Sequence, residues 1–375
     1  MYLFILCYLL IYGGAHAYLM TRTVRGFHLA GPYPAIFLIV SVFMVLAPII
    51  VRVLERFGMD GPAKIVAYLG YLWMGFFFLF LSMSIALDLL RGILALAGLL
   101  WPHDLRLPEV GLLSFSIICA LVASLYGFFE ARSIRVERVT VQSPKLPKDA
   151  ARVRIVLISD VHLGITVAKE GLKRILDKVT ALNPDLLLCT GDLVDGQMDG
   201  LKGRDEELRA VRPPLGKFAV LGNHEVLAGL APSVSFTKSS GFRLLRGEAE
   251  AVSGFLTVAG VDDPALNRDK GGATERELLT FLPRDRFTIL LKHRPSVERE
   301  SLGLFDLQLS GHVHKGQIFP FNLITHLAYP VKMGLTRYGA GSLLYVSRGT
   351  GTWGPPMRVL APPEVTVIDL LPAPR

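Results

Sequence analysis

Four stretches without a single Asp, Glu, Lys or Arg fall within the first 130 residues: Met1–Thr21, Gly26–Val51, Ile65–Leu87 and Val110–Phe129. A helix rises about 1.5 Å per residue, so each stretch is long enough to cross a hydrocarbon core of about 30 Å. Tyr18, Arg22, Arg52, Tyr68, Trp73 and Arg132 sit near their ends, where interfacial anchors belong. A buried helical core is the competing reading, but four such runs in so short a length argue against it. The apolar fraction of 51% and the mean hydropathy of +0.44 reflect this region.

The first run has a small-residue site, Ala15-His16-Ala17, that resembles a signal cleavage site. It lacks a basic leading segment and further spans follow it, so it reads as an anchor. A shorter apolar piece, Gly92–Trp101, cannot span; it either extends the third helix past Asp88 and Arg91 or lies in the interface. Loops on one side carry Arg22, Arg25, Arg91 and Arg106. The other side carries Arg52, Arg56, Lys64, Arg132, Arg135 and Arg138, and this bias favours it as cytoplasmic. The formal charge of +8 is largely juxtamembrane, where basic side chains meet lipid head groups, and no basic run with interleaved aromatics marks a nucleic-acid groove. The three cysteines, Cys7, Cys119 and Cys189, lie in apolar runs and read as packing residues, not as disulfide partners.

From Ser133 onward the texture becomes short β-rich runs, helical patterns and Gly/Pro punctuation. Strands are expected at Arg135–Gln142 and Val153–Ser159, in "DLLLCTGD", "KFAVLGNHE", "FTILLKHRP" and "FDLQLSGHVH", and near the end in "APPEVTVIDL". Leu172, Ile175, Leu176, Val179 and Leu182 fall at helical spacing before Asn183-Pro184 stops the run. The alternation predicts an α/β (α+β) layered domain, β-sheets flanked by helices, behind N-terminal transmembrane helices. The division expected is 1–132, with about four spans, and 133–375.

Five of these strands end in polar clusters, the place where open α/β sheets bind ligands. The clusters are Asp160-Val161-His162, Gly191-Asp192, Gly222-Asn223-His224-Glu225, Lys292-His293-Arg294-Pro295 and Gly311-His312-Val313-His314. Each is weak alone; a lone Asp-x-His or Gly-Asp is usually a cap or a turn. If the last strand carried into "GHVHKGQ", His312 and His314 would share a face about 6.5–7 Å apart, with Val313 pointing away. That spacing leaves open whether the two rings hold one metal, hold two, or decorate a loop.

The five clusters in this order resemble the calcineurin-like metallophosphoesterase superfamily, with its blocks D-x-H, G-D, G-N-H-[DE], a lone H and G-H-x-H. The sequence is most similar to the membrane-anchored bacterial branch, whose ending resembles "YVSRGTGTWGPPMRVLAPPEVTVIDL". The resemblance covers roughly Val153 to Leu370. It implies two divalent transition metals (Mn, Fe or Zn): Asp160, His162 and His314 on the first, Asn223, His293 and His312 on the second, and Asp192 bridging. His224 is implied as the acid near the scissile ester oxygen, with Glu225 either orienting that ring or capping the next helix. The activity implied is hydrolysis of phosphoesters, mono- or diester, by metal-activated hydroxide; membrane attachment, which holds the site near lipids, motivates lipid-linked phosphates or pyrophosphates as substrates. The location expected is a multi-pass protein of the bacterial inner membrane, with the loop charge bias placing the catalytic domain in the cytoplasm.

Branch members commonly carry "GHTHGGQ", so Val313 and Lys315 depart from the pattern. Lys315 is a candidate phosphate contact, set against a solvated rim lysine; Arg294 and Arg348 are further candidates, set against structural salt bridges. A non-catalytic scaffold would be expected to have lost ligands, and none is lost. A nuclease lacks its groove, and a transporter lacks intramembrane charges. The partners expected are membrane lipids and a phosphoester substrate, with no nucleic acid and no obligate protein partner.

Overall fold

The computed structural model describes residues 6–98, 108–196, 198, 201–266 and 274–374. The chain divides into two compact units, Met1–Phe128 and Phe129–Arg375.

In the first unit a π-turn, Leu9–Gly13, runs into α1 (Gly14–Gly26), followed by α2 (Tyr33–Arg56), α3 (Asp60–Gly98) and α4 (Glu109–Glu130). Among the described residues three helices are long and apolar enough to cross a membrane: Tyr33–Leu54, Gly61–Gly98 and Glu109–Glu130. The first apolar run is helical where described, and its residues 1–5 lie outside the described residues, as do residues 99–101 and Arg106. Of the two readings of the 92–101 piece, the structure has the helix continue, through to Gly98. Asp88 does not break it, because Arg22 Nη1 donates to Asp88 Oδ2 at 2.8 Å and to Ser84 O at 3.1 Å, and the Tyr18 hydroxyl donates to the same carboxylate. A paired charge is far cheaper in an apolar setting than a lone one.

The second unit contains β1 (Arg135–Ser143), β2 (Val153–Ile158), α5 (Lys169–Ala181), β3 (Leu186–Cys189), α6 (Arg204–Arg209), β4 (Lys217–Ala219), α7 (His224–Leu227), α8 (Leu230–Ser239) and β5 (Arg243–Leu244). It continues with β6 (Glu248–Ser253), β7 (Leu256–Gly260), α9 (Glu275–Thr280), β8 (Phe287–Leu291), β9 (Leu307–Ser310), α10 (Phe321–Ala328), β10 (Gly334–Arg337), β11 (Leu343–Val346) and β12 (Glu364–Pro372). Two six-stranded sheets result, ordered β1-β12-β2-β3-β4-β5 and β10-β11-β9-β8-β7-β6. β2 to β5 are mutually parallel, as are β7, β8, β9 and β11.

Period-two alternation builds the layers. Ile155, Leu157, Leu186, Leu188 and Phe218 meet Val258, Ile289, Leu291, Leu307 and Leu309 in the core between the sheets. The intervening Val156, Ile158, Leu187 and Cys189 point the other way, onto Leu172, Ile175 and Val179 of α5. On the far side of the second sheet, Ala259 and Leu290 pack on Leu279 of α9, so helices cover both outer faces. Strands buried on both faces read as unbroken apolar runs, which is why "DLLLC" and "FTILL" carry almost no polar residues before their ends.

Candidate metal centre

The parallel strands β2, β3, β4, β8 and β9 all deliver a polar cluster just beyond their C-terminal ends. Two sheets thus aim their loops at one place. Asp160, His162, Asp192, His312 and His314 all have positive φ, between 47° and 71°. Left-handed backbone costs a non-glycine residue about 1–2 kcal/mol, so the surroundings must hold it there. They do so by interlocking: Asp160 N donates to Gly191 O and His162 N to Asp192 O, each at 3.0 Å, and His312 N donates to Asp160 Oδ1 at 2.9 Å. Two glycines permit the close approach. A Cβ on Gly311 would lie 2.1 Å from Asp160 Oδ2, and one on Gly222 would lie 2.2 Å from Asp192 Oδ1.

The "GHVH" geometry differs from a strand carried forward. β9 ends at Ser310, and His314–Gly316 forms a 3-10 turn with Lys315 also left-handed. The histidines therefore do not share a strand face; the turn swings each ring toward a different cluster. Val313 does point away, into an apolar patch with Leu344 and Val346.

Asp160, His162 and His314 make one group, with His162 Nε2 3.1 Å and Asp160 Oδ1 3.4 Å from His314 Nε2. Asp192, His293 and His312 make a second, with His293 Nε2 3.2 Å from both Asp192 Oδ2 and His312 Nδ1. Asn223 Oδ1 lies 3.2 Å from the same nitrogen. Asp192 Oδ2 is also 3.8 Å from His162 Nε2, so a single carboxylate faces both groups. Its other oxygen is occupied, accepting from His224 N at 2.8 Å.

These donors fit cations. The His293 Nδ1–H donates to Thr190 O at 2.8 Å, which turns the lone pair of Nε2 toward the oxygen of Asn223. Facing lone pairs at hydrogen-bond distance call for a positive charge between them. Burial and the neighbouring His293 push His312 down to about 4, and burial with the Arg358 guanidinium holds His314 well below the usual range. Both rings are thus held in the neutral form that metals bind. Burial opposes charging His293, yet the Asp192 carboxylate raises it to about 10, a sign of how strongly this spot favours positive charge.

Glu225 does not touch the His224 ring. Its carboxylate accepts from the backbone N–H groups of Gly222, Asp192, Leu193 and Val194, at 2.7–3.3 Å, so it ties the β3 and β4 loops together. The partner of His224 is Asp195, whose Oδ1 accepts from Nδ1 at 2.9 Å. Burial works against charging His224, but the Asp195 bond and the charges of Asp192, Asp195 and Glu225 outweigh it and raise the pKa above its ordinary value. Asp195 is not among the sequence candidates; its signal is the spacing of "GDLVD", where a second acid follows the first by three residues.

Two more residues emerge only in three dimensions. Arg358 is fully buried beneath the site, donating to Gly351 O and His314 O, with Nη2 3.0 Å from His314 Nδ1. Gln317 of "GHVHKGQ" grips the C-terminal tail, donating to Trp353 O at 2.6 Å and accepting from Trp353 N at 2.9 Å. This sets the half-exposed Trp353 ring edge-on to His224, centroids 6.0 Å apart.

The three candidate phosphate contacts separate. Arg294 is held in a bidentate pair by Asp263, at 2.7 and 3.1 Å. Arg348 is buried between Glu364, at 2.6 Å, and Glu137. Both therefore have the salt-bridge role weighed against a phosphate contact. Lys315 makes no hydrogen bond or ion pair among the described residues.

Residues 153–316 match the sequence profile of the Calcineurin-like phosphoesterase family. An uncharacterized metallophosphoesterase of Aquifex aeolicus is 39% identical over 67% of this chain and 97% of its own length. A metallophosphoesterase of Campylobacter jejuni is 30% identical over 96% of both chains. A transmembrane protein with metallophosphoesterase domain from Danio rerio is 33% identical over 68% of this chain and 62% of its own length. The solved dimetal phosphatase from Danio rerio is 13% identical, covering 52% of this chain and 87% of that one, with a TM-score of 0.35, at which superposition adds nothing to the sequence relationship. The chain belongs to the calcineurin-like metallophosphoesterases. Its relatives include bacterial and animal proteins, so the resemblance is wider than a bacterial branch. The family binds two divalent metals, and the His/Asp groups above are able to hold them.

Proposed function

We propose that this chain is a membrane-anchored dinuclear phosphohydrolase. The observation that carries the reading is the single carboxylate, Asp192, facing two separate ligand groups. Asp160, His162 and His314 would hold the first metal and Asn223, His293 and His312 the second, with Asp192 shared between the two groups. Two bound divalent metals supply Lewis-acid stabilisation of a phosphoryl group and a hydroxide nucleophile near neutral pH. The residues do the rest. His224, whose acid form the Asp195 contact favours, is the group to give its proton to the leaving oxygen. Trp353 covers one side of that ring. Lys315, one residue beyond His314 and without a hydrogen bond or ion pair among the described residues, takes a phosphate oxygen of the substrate.

The apolar helices keep the site beside lipid, which supports a lipid-linked phosphoester or pyrophosphate as substrate, and the basic bias of the loops supports a cytoplasmic catalytic unit. The test is metal analysis of the full chain with a screen of phosphomonoesters, phosphodiesters and lipid pyrophosphates. About two transition metals per chain and turnover of at least one ester class are expected; a folded, metal-free protein sinks the assignment. Lys315→Ala is expected to raise KM by about three- to tenfold with kcat and metal content nearly unchanged, and Lys315→Arg to restore most of it. An unchanged KM returns Lys315 to the solvated rim.

A further inference from the structure

The segment after "GHVHKGQ" forms a helix with an exposed apolar side. No residue of α10 is buried: Phe321, Leu323, Ile324 and Leu327 are exposed, the last by 85%. Met333 and Leu335, on the approach to and within β10, extend the patch. Of the thirteen exposed large apolar side chains described in the second unit, seven lie between Phe319 and Leu335. Scattered exposed leucines need no explanation, but a cluster marks an interaction surface.

Two observations say what covers it. No Asp or Glu occurs anywhere between Asp306 and Glu364, whereas Lys315, Lys332 and Arg337 flank the patch. An apolar face on a segment that carries cations and no acid of its own is the pattern of a helix lying in a phospholipid interface, acyl chains beneath it and phosphates around it. The same chain also carries helices able to cross a bilayer, and the second unit begins at the end of the last of them, so a lipid surface is its enforced neighbour.

The patch is also coupled to the metal centre. A Cβ on Gly316 would fall 2.4 Å from Asn322 Cα, so the helix sits directly on the turn that carries His314. Tyr329, just past the helix end, sets its ring edge-on to His312 with centroids 5.4 Å apart. We infer that α10 and β10 dock on the bilayer surface, bringing the mouth of the metal centre to the phosphate level so that phosphoesters are taken from the lipid layer. The inference rests on the reading that α2 to α4 lie in a membrane.

The experiment uses the full chain in vesicles of phosphatidylcholine and phosphatidylglycerol, with Cys7 and Cys119 replaced by Ala; Cys189 is buried. An environment-sensitive fluorophore is attached at Leu327→Cys, at Phe281→Cys as an exposed control, and at Ile118→Cys within α4. Nitroxide lipids labelled near the head group are expected to quench position 327 at least about twofold and to leave position 281 unchanged. A quenched 118 with an unquenched 327 overturns the docking alone. That holds whether emission at 327 is water-like or is blue-shifted by cover from the chain's own helices or a second copy. An unquenched 118 removes the membrane reading itself. Leu327→Asp is expected to raise KM about tenfold for a phosphoester embedded in the vesicle and to leave a soluble aryl phosphoester unaffected; equal KM changes for both substrates, or none, overturn delivery from the lipid layer.

Discussion

Replacing Asp192 by Asn lowers turnover of an aryl phosphoester by about a thousandfold or more, with metal content falling below two per chain and the fold intact. The reason lies in the two oxygens of this side chain. Oδ1 accepts from His224 N, and an amide oxygen can keep that bond, so the β3 loop has no cause to move. Oδ2 faces His293 at 3.2 Å and His162 at 3.8 Å, and an amide nitrogen there presents hydrogens where the site needs negative charge. The change removes one negative charge facing both ligand groups and almost nothing else. Metal analysis and aryl ester kinetics on the same preparation check it, and unchanged turnover rules out the bridging role.

His224→Ala separates metal binding from proton delivery. Metal content is expected to stay intact, since the Asp160/His162/His314 and Asp192/His293/His312 groups do not include this ring, which joins only the overlapping His162/Asp192/His224 group. Hydrolysis of an alkyl ester, whose leaving oxygen needs a proton, falls by about 10²–10³-fold, whereas an ester with an activated phenolate leaving group loses far less. Equal slowing of both argues against a general acid. Asp195→Asn gives the companion test. The Asp195 carboxylate helps hold the His224 pKa above its ordinary value, so the acid form persists to higher pH. Removing that charge lowers the pKa, and the alkaline limb of the kcat/KM profile for the alkyl ester moves to lower pH. A limb that stays in place assigns it to some other group.

Much of this site was legible before any coordinate. Asp160, His162, Asp192, Asn223, His293, His312 and His314 each stand just after an apolar strand run, and strand ends are read from local pattern. The strands themselves were legible for the same reason, because burial on both faces leaves runs such as "DLLLC" without polar interruption. Asp195 and Arg358 were not, because what makes them matter is a partner 29 and 44 residues away. Glu225 had a plausible local role beside His224, and its actual partners are amides on another strand's loop. Whether the strand carried into the histidine motif was left open by the local pattern, and the structure ends it at Ser310, with His312, His314 and Lys315 left-handed.

The sequence alone determined the apolar helices, the strand alternation and the set of residues able to hold metals, all of which depend on side-chain type and near-neighbour spacing. The tertiary structure decided which histidine faces which group, which cations are already paired, and that an apolar helix lies open beside the site. Those depend on distances between segments far apart in the chain, which the packing of two sheets sets and no local pattern encodes.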